Sequence, residues 1–376
     1  MAKKKMLMYV YNDITTDARV QRAAEALCHD FQLTLVSTQK GKQVENVNYK
    51  NILVGGKYRG ALGIFDTIKS AYSIIRREKP DLVYCHDYYS AILAFILLIT
   101  HYSGKIVYDA HELIIPEEGN KDRRLNFFYW FEKHIVKKVD LLICASDNRG
   151  EIMKEHYGLA NMPFVVPNIS QLQVNDNDAE VQKLLLSQKD FFRDPKPTIV
   201  YAGVVTRSRC IIELFDAALA LADKCKLLIV GNGDALEELK IKASEHPELH
   251  TAFTGSIPYK SLGSILSRCD IGFLYYPVDT LNNRYCASNK IFEYASVGLP
   301  ILANENPTVK RILEDASIGI STTNFGEGVH IIFEKGENYK NNCMVFTQNN
   351  QWKNMAVLFL QKIESMSKYK ETQIGD

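Results

Sequence analysis

The chain has 376 residues, of which 46% are hydrophobic and 24% are charged. This composition is ordinary for a folded protein and excludes collagen-like repeats, coiled coil and extended disorder as the main architecture. With 45 basic against 44 acidic residues, the net charge is +1, so the basic surplus of a dedicated nucleic-acid-binding protein is absent. We therefore expect no nucleic-acid partner. The length predicts two domains, each large enough to have its own core.

The eight cysteines have neither CxxC spacing nor a zinc-like arrangement with histidines. Free thiols in a reducing cytoplasm, and no metal site, are the expectation. The apolar run at 6–10 is too short for a signal peptide, and the longest apolar run, 91–99, is about half of a membrane span. The chain is thus predicted to be cytoplasmic, without a transmembrane helix.

In the first half of the chain, short apolar strand candidates alternate with amphipathic helix candidates. The strands are predicted at 6–11, 33–37, 82–85, 105–109 and 141–145, and the helices at 17–28, 62–79, 89–98, 125–138 and 147–156. Continuous apolar strands between helices are typical of a parallel sheet that is covered on both faces.

The second half repeats this alternation. Its strands are predicted at 198–202, 226–230, 252–254, 271–274 and 300–303, and its helices at 211–221, 235–245, 259–268, 289–297 and 307–316. One further helix is predicted in the segment before 198, and a last one over 349–368. The prediction is an α/β protein with two doubly wound, Rossmann-like domains that face a central cleft, where ligands meet the carboxyl ends of the strands.

Polar, linker-like residues after Val165–Asn168 mark the predicted boundary between the domains. We predict an N-terminal domain over 1–170 that binds the acceptor and a C-terminal domain over 171–350 that binds a nucleotide sugar. The last helix, 351–368, is predicted to return towards the N-terminal domain, and 369–376 to form a disordered tail.

The most informative segment runs from Ser288 to Ala303. Ser288 suits the N-cap of a helix whose first turn holds Asn289 and Lys290. Lys290 and Glu293 are three residues apart and share a helix face. A cation beside free backbone N–H groups suits a diphosphate, and a carboxylate one turn further suits two neighbouring sugar hydroxyls. A solvated ion pair is the alternative interpretation.

This segment resembles the nucleotide-sugar site of glycosyltransferase family 4, whose members are retaining transferases with the two-domain GT-B fold. The family has a Pro-Asn-Lys-Leu-Phe-Glu-Tyr-like run before small residues, Gly and Pro, and this chain has Ser288 where Pro is commoner. By resemblance, Glu293 binds the ribose, and Ser288, Asn289 and Lys290 belong to the donor site. Many members carry a second Glu eight residues earlier, where this chain has Tyr285.

A second segment, 201–211, resembles the strand, glycine loop and basic residue of the same family. Gly203 ends the strand, and Arg209 stands where members have Lys or Arg, which implies a contact with the diphosphate. Cys210 replaces the Gly that follows in the family, and Val204 replaces a common Arg. A solvated loop is the alternative for Arg209.

Two further strand ends fit donor-site loops of the family. They contain Gly233 and, beside the expected position of the base, Ser256 and Ile257. Glycine-rich strand ends occur in any α/β fold, so by themselves they are weak evidence for a donor site. They support the resemblance because they occur in the expected order relative to the stronger motifs.

In the N-terminal domain, Asp17 and Arg19 begin the first predicted helix, which resembles a family variant with Asp-x-Arg-Val at this point. Asp17 suits an N-cap. Arg19 is predicted to lie at the cleft edge and reach an anionic acceptor or a phosphate.

Polar residues also follow two predicted strands of this domain: His86 and Asp87 after one, and Asp109, His111 and Glu112 at the end of the next. If these ends face the cleft, the residues contact the acceptor or line the cleft. By resemblance, His111 lies near the donor sugar and positions sugar or acceptor.

The segment 126–138 interleaves five aromatic residues with Lys133, Lys137 and Lys138. A core-facing helix with a basic solvent face is one interpretation. Docking to anionic lipid at the inner face of the membrane is the other, and it suits a lipid-linked acceptor. Glu132, in the same segment, matches a recurrent family Glu of uncertain role.

We interpret the chain as a retaining glycosyltransferase that moves a sugar from a nucleotide diphosphate sugar to a glycan or lipid-linked acceptor, in bacterial surface polysaccharide or glycoconjugate synthesis. The predicted catalytic residues are His111, Arg209, Lys290 and Glu293. Arg209, Lys290 and the helix N-terminus would stabilise the departing diphosphate, so neither metal nor other cofactor is expected.

Two alternatives remain open. A sugar-nucleotide epimerase of the same fold would use His86 and His111 as acid and base, and would need no acceptor. A non-catalytic sugar-nucleotide-binding protein is suggested by Val204 and Tyr285. A nicotinamide enzyme is disfavoured, because no GxGxxG follows the first strand.

Overall fold

The computed structural model of the protein describes residues 3–15, 17–38, 47–55, 60–117 and 122–368. The chain divides into two compact units. Unit 1 comprises Met1–Pro167 and Lys353–Asp376, and unit 2 comprises Asn168–Trp352. The predicted disordered tail lies outside the described residues.

Unit 1 is built on a parallel sheet of seven strands. The strands are β1 Lys5–Val10, β2 Gln32–Thr38, β3 Lys50–Val54, β4 Leu82–His86, β5 Lys105–Ala110, β6 Leu141–Cys144 and β7 Phe164–Val165. Their order across the sheet is β3-β2-β1-β4-β5-β6-β7. The order reverses between β1 and β4, which makes the carboxyl ends of these strands the expected ligand edge.

Within the described residues, five helices lie between these strands along the chain. They are α1 Ala18–Leu27, α2 Gly60–Glu78, α3 Ala91–Ile99, α4 Arg123–Ile135 and α5 Asp147–Tyr157. The sheet strands β1, β4 and β5 are buried almost throughout, as expected for strands that are covered on both faces.

Unit 2 repeats the architecture with six parallel strands. They are β8 Thr198–Ala202, β9 Lys226–Val230, β10 Thr251–Gly255, β11 Ile271–Leu274, β12 Ile301–Ala303 and β13 Gly319–Ser321, in the order β10-β9-β8-β11-β12-β13. The helices are α6 Ala179–Ser187, α7 Lys189–Arg193, α8 Ile211–Leu219, α9 Leu236–Glu245, α10 Tyr259–Leu266, α11 Leu281–Arg284, α12 Asn289–Ser296, α13 Pro307–Ala316 and α14 Phe325–Asn349.

The last helix, α15 Trp352–Lys368, belongs from Lys353 onwards to unit 1. Two of its side chains, Phe359 and Ile363, are fully buried. The ring of Phe359 lies 6.1 Å from that of Tyr84 on β4. The helix is thus part of the apolar packing of unit 1. In the described part of the chain, no helix has the length and apolarity that crossing a membrane requires.

The predicted strands are confirmed to within two residues at each end, whereas β3, β7 and β13 were missed. These three are either half-buried or two to three residues long, so they lack the continuous apolar run that predicts a buried strand. The long helix α14 was also missed. Three glycines lower its intrinsic helix propensity, and packing of Val329, Ile332 and Cys343 in the core compensates.

A buried carboxyl joins three elements of unit 1. Glu132 on α4 accepts hydrogen bonds from the hydroxyls of Tyr108 on β5, at 2.5 Å, and Tyr157 on α5, at 2.6 Å. Burial raises the pKa of Glu132 to about 7. The folded chain therefore holds this proton more tightly than the unfolded chain does.

The Glu132 carboxyl should make stability depend on pH in a predictable direction. Its contribution is fully present below the unfolded pKa near 4.5 and is lost as pH rises through about 7, which amounts to about 3 kcal/mol between pH 5 and pH 8. Glu132→Gln cannot titrate. The unfolding free energy of the variant, minus that of the parent, should therefore increase by about this amount over the same interval.

Urea unfolding followed by tryptophan fluorescence measures this difference. A Trp352→Phe background leaves Trp130, two residues from Glu132, as the single tryptophan reporter. Parallel pH profiles for Glu132→Gln and its parent would contradict the raised pKa.

Candidate active site

The N-terminus of α12 is positioned by one buried tyrosine. Ser288 caps the helix by accepting a hydrogen bond from Lys290 N at 3.2 Å. One turn further, Tyr294 donates its hydroxyl to Phe273 O at 3.1 Å and accepts from Ala202 N at 3.2 Å. Both partners lie near the carboxyl ends of β8 and β11. The helix therefore presents its first turn at that edge of the sheet.

Lys290 and Glu293 form an ion pair that differs from a solvated surface pair. Lys290 Nζ lies 2.6 Å from Glu293 Oε2, and only 4% of the Glu293 side chain is exposed, against 25% for Lys290. The other oxygen, Oε1, accepts from the Tyr259 hydroxyl at 3.3 Å. A buried carboxylate with two partners has a fixed orientation, as a hydrogen-bond acceptor for sugar hydroxyls requires.

Arg209 is held on an aromatic ring rather than in solvent. Its Nη1 donates to Tyr275 O at 2.9 Å, and its guanidinium carbon lies 4.4 Å from the centre of the Tyr276 ring. Tyr276 in turn lies beside the side chain of Ser288. One aromatic side chain therefore connects Arg209 with the N-terminus of α12, and the two predicted diphosphate contacts belong to one cluster.

Arg207, in the same short turn, behaves differently. It pairs with Glu238 at 2.8 Å, and 73% of its side chain is exposed. The turn itself ends at Cys210, whose φ is +49°, a conformation that suits glycine better than cysteine. This position is where the family resemblance expects Gly.

The glycines after β8 and β9 meet a steric need. A Cβ at Gly233 would lie 2.1 Å from Val205 O, and one at Gly231 would lie 1.8 Å from Gly203 O. The two loops therefore approach each other more closely than side chains allow. Contact of Gly203 and Gly233 with a ligand stays a prediction, because this packing alone accounts for Gly231 and Gly233.

The remaining donor-side residues lie near open surface. Ser256, directly after β10, is exposed, while Ile257 and Asn289 are half-buried. Tyr259, which contacts Glu293, was missed by sequence reasoning. Its segment, Pro258-Tyr259-Lys260-Ser261, looks like any helix start, and only tertiary contacts reveal the partner.

In unit 1, one buried carboxylate organises the ends of β4 and β5. Asp109 accepts from Arg19 Nη2 at 2.7 Å and Nε at 3.1 Å, and from the Tyr84 hydroxyl at 3.0 Å. Burial favours the neutral acid, but Arg19 and His111 outweigh it and hold the pKa of Asp109 well below its usual value. Arg19 also donates to Val166 O at 2.6 Å.

The two histidines meet at this carboxylate. His86 Nδ1 lies 3.3 Å from His111 Nε2, and each of these atoms is 3.6 Å from Asp109 Oδ2. His86 is fully buried, whereas 15% of the His111 side chain is exposed. Burial lowers the pKa of His86. Burial also opposes the charged form of His111, but Asp109 prevails and raises the pKa of His111.

Sequence reasoning placed Arg19, His86 and Asp109 at the cleft edge, but the structure buries their side chains against one another. These three support His111, of whose side chain 15% remains exposed. Glu112 is exposed. Asp17 caps α1 by accepting from Val20 N at 3.1 Å.

Asp87, directly after β4, has a strained backbone. Its φ is +64° and its ψ is 164°, a region that only glycine adopts readily. Its N–H donates to Asp109 O at 2.9 Å, and its carboxylate accepts from Tyr88 N at 2.7 Å. Burial raises the pKa of Asp87 to about 6. Strain together with a perturbed carboxyl is typical of functional positions.

By distance, one group in the described residues could hold a metal ion: the ligand atoms of His86, Asp109 and His111 all lie within 4.8 Å of one another. Both oxygens of Asp109, however, already accept from Arg19 or Tyr84. A guanidinium at this point supplies the positive charge that a metal would otherwise bring. The arrangement therefore fits an internal ion pair better than a metal centre.

Comparison with known proteins agrees with this architecture. The model for Glycosyltransferase Family 4 matches residues 18–169, and that for Glycosyl transferases group 1 matches residues 196–328. Curated protein sequences gave no significant match.

Solved structures resemble the whole chain. Sucrose-phosphate synthase from Thermosynechococcus elongatus is 15% identical with a TM-score of 0.71, covering 97% of this chain and 99% of its own. HepE of Anabaena, in complex with UDP-glucose, is 13% identical with a TM-score of 0.73, covering 96% and 100%. A glycosyltransferase from Rickettsia africae is 14% identical with a TM-score of 0.71, covering 98% and 100%.

Identities this low establish the fold alone, and the predicted fold class, two Rossmann-like domains of the GT-B type, is confirmed. The Glycosyltransferase Family 4 model matches residues of unit 1, except that its last two matched residues belong to unit 2. The group 1 model matches only residues of unit 2. On these matches and this fold, the chain belongs to the family 4 glycosyltransferases of the GT-B class.

Proposed function

We propose that the protein is a retaining, metal-independent glycosyltransferase that takes its sugar from a nucleotide diphosphate donor bound by unit 2. The observation that carries the proposal is the cluster at the N-terminus of α12. The cluster contains a buried carboxylate, Glu293, and two cations, Lys290 and Arg209. The Tyr276 ring, on which Arg209 lies, is close to Ser288 at the start of the helix. This set supplies an acceptor for ribose hydroxyls and two positive groups for a diphosphate.

The chemistry needs stabilisation of negative charge on the leaving nucleotide diphosphate. Lys290, Arg209 and the first-turn N–H groups of the eight-residue helix α12 provide it in a partly buried site. With these groups in place, a metal ion is not needed. The structure of HepE with UDP-glucose supports a UDP-sugar as the first donor to test.

Retention of configuration implies attack on the face that the leaving group vacates. We take this step from the family: the acceptor hydroxyl attacks the anomeric carbon, the bond to the diphosphate oxygen breaks, and a donor phosphate oxygen accepts the proton. In unit 1, His111 and Asp87 are the groups we assign to positioning the acceptor. Their positions at the ends of β5 and β4 support this assignment.

The epimerase alternative would need two accessible acid–base groups. His86 is fully buried, which disfavours it as one of them. Product analysis separates the two activities, because an epimerase converts the donor without any acceptor, and a transferase releases nucleotide diphosphate when the acceptor is added.

Attachment to an anionic membrane is the further part of the proposal, consistent with a cytoplasmic enzyme of surface polysaccharide or glycoconjugate synthesis. On α4, Phe128, Glu132 and Ile135 are buried, while 44% of Phe127 and 44% of Trp130 remain exposed. Lys133, Lys137 and Lys138 are exposed beside them. Exposed aromatics beside lysines suit an anionic lipid surface.

The donor site can be tested with three substitutions. Glu293→Gln should weaken binding of the preferred nucleotide diphosphate by about 1.5–3 kcal/mol, because a charge-assisted acceptor is lost. Arg209→Ala and Lys290→Gln should weaken it too, and should slow transfer further, because leaving-group charge grows in the transition state. The free nucleoside should respond to Glu293→Gln and hardly to the other two.

Isothermal titration of UDP, GDP and ADP, each with its nucleoside, measures these effects. Arg207→Ala is the matched control, since it removes an exposed cation from the same turn. If the three variants bind and turn over donor like the parent, the donor-site assignment is wrong and the fold assignment is unaffected.

Strain at Asp87 gives a second test. Asp87→Gly removes the carboxylate and relieves the backbone strain at the positive φ of this residue. Asp87→Ala removes the same carboxylate but keeps the strain. The glycine variant should be more stable than the alanine variant by about 1 kcal/mol. Both should transfer sugar at least about tenfold more slowly, if the carboxylate positions the acceptor hydroxyl. Thermal unfolding and initial rates provide the measurements. A glycine variant with parental activity would exclude a role for the carboxylate.

Membrane attachment is tested by sedimentation with phosphatidylglycerol vesicles. Changing Lys133, Lys137 and Lys138 to Glu should lower the partition coefficient at least about a hundredfold, since each basic residue near the surface contributes about 1 kcal/mol. The matched control reverses three exposed basic residues on α2, Lys69, Arg76 and Arg77. This docking face would be refuted if vesicle binding by the parent did not depend on salt concentration, or if both triple variants lost vesicle binding equally.

A further inference from the structure

A cavity of about 620 Å³ in unit 1 has no part in the function proposed so far. It lies between the first turns of α2 and α4, with the start of α3 beneath. Its apolar lining consists of Ala61, Ile64, Phe65, Ile92, Phe127 and Phe128. Cavities of roughly 300–1,000 Å³ with apolar walls are typical of small-molecule sites.

Aromatic rings shape this cavity. Phe65 and Phe127 stand edge to face across it, with ring centres 6.4 Å apart. Both remain about half exposed, at 46% and 44%. Below them, the buried ring of Phe128 lies 5.0 Å from Tyr89. The cavity is therefore an apolar slot with an aromatic rim open to solvent.

Two adjacent cations also line the slot. Arg123 and Arg124, the first two residues of α4, line it and are exposed. Arg124 hydrogen-bonds the Tyr89 hydroxyl and lies 5.5 Å from the centre of that ring. Neither guanidinium forms an ion pair with a carboxylate of the described residues. The neighbouring Asp122 caps the helix through Arg124 N and Leu125 N. The slot thus combines an apolar chain-sized space with two positive charges in its lining.

The slot opens at the edge of the sheet where the acceptor is expected. Tyr11, which lines it, directly follows β1, and its ring lies 5.1 Å from that of Tyr89. Tyr88 and Tyr89 follow Asp87 at the end of β4. A ligand head group at the arginines would therefore share the carboxyl edge with Asp87 and His111.

We infer that this slot binds the lipid part of the acceptor, and that the acceptor is a sugar with a free hydroxyl carried on a lipid phosphate or diphosphate. Its apolar chain would enter the slot alongside the rings of Phe65 and Phe127. Its phosphate would pair with Arg123 and Arg124, which suit phosphate because guanidinium donors match its oxygens. The inference rests on the proposed glycosyltransferase function. It commits to a lipid with an anionic head, because a neutral glycan would use neither the apolar walls nor the two cations.

The test is a binding series with hexyl, octyl and decyl phosphate, each below its micellar concentration. Isothermal titration calorimetry on the full chain measures the affinities. Affinity should rise about fourfold for each methylene group that the slot buries, and level off once it is full. Decyl maltoside, which has the chain without the charge, should bind at least tenfold more weakly than decyl phosphate. Inorganic phosphate alone should show no measurable binding.

Two variants connect this binding with the slot. Ala61→Trp fills the space from the exposed first turn of α2 and should abolish the chain-length dependence. Arg123→Ala with Arg124→Ala should remove the preference of decyl phosphate over decyl maltoside. The matched control, Arg76→Ala with Arg77→Ala at the far end of α2, should change neither. Thermal unfolding of each variant checks that unit 1 remains folded.

The same samples are titrated with nucleotide diphosphate, so that two failures can be distinguished. If the protein binds decyl phosphate as expected but binds no nucleotide diphosphate, the proposed donor site is wrong and the lipid phosphate inference is unaffected. Equal binding of decyl phosphate and decyl maltoside, or binding that Ala61→Trp does not change, would overturn the lipid phosphate inference while the donor site stands.

Discussion

The ion pair between Arg19 and Asp109 is the interaction on which the arrangement of unit 1 depends. Both side chains are almost fully buried, at 9% and 2% exposure. A buried charge that loses its partner destabilises a fold by roughly 3–5 kcal/mol. Because Arg19 also reaches Val166 O, one contact set holds the start of α1, the end of β5 and the segment after β7 together.

The same pair determines what the edge of the sheet can do chemically. Asp109 keeps its negative charge because Arg19 is beside it, and that charge raises the pKa of His111. His86 and Tyr84 complete the packing around the carboxylate, with their rings stacked 4.1 Å apart. His111 thus stands, partly exposed, as the outward end of an otherwise buried polar network. Such a residue can orient a hydroxyl or phosphate without moving.

Unit 2 positions its groups by a different device. There, neutral tyrosine side chains hold the groups in position. Tyr294 fixes α12 on the sheet, and the Tyr276 ring contacts the Arg209 guanidinium. The physical reason lies in the ligand that we propose. A nucleotide diphosphate brings its own negative charge, and Arg209, unlike Lys290 with its Glu293 partner, has no carboxylate beside it among the described residues. An aromatic ring orients a guanidinium without neutralising it.

The sequence by itself determined the α/β class, most strands and the placement of the main motifs at strand ends, because buried parallel strands and capped helices depend on local residue patterns. It also determined that Lys290 and Glu293 share a face. Only the tertiary structure decided that Glu293 is buried against Tyr259, that Arg209 lies on the Tyr276 ring, and that Arg19 pairs with Asp109, 90 residues away. Ion pairs, desolvation and cavities arise from residues far apart in the chain. No local pattern encodes them, which is why the pairing of Arg19 with Asp109 and the slot at Phe65 and Phe127 had no signal in the sequence.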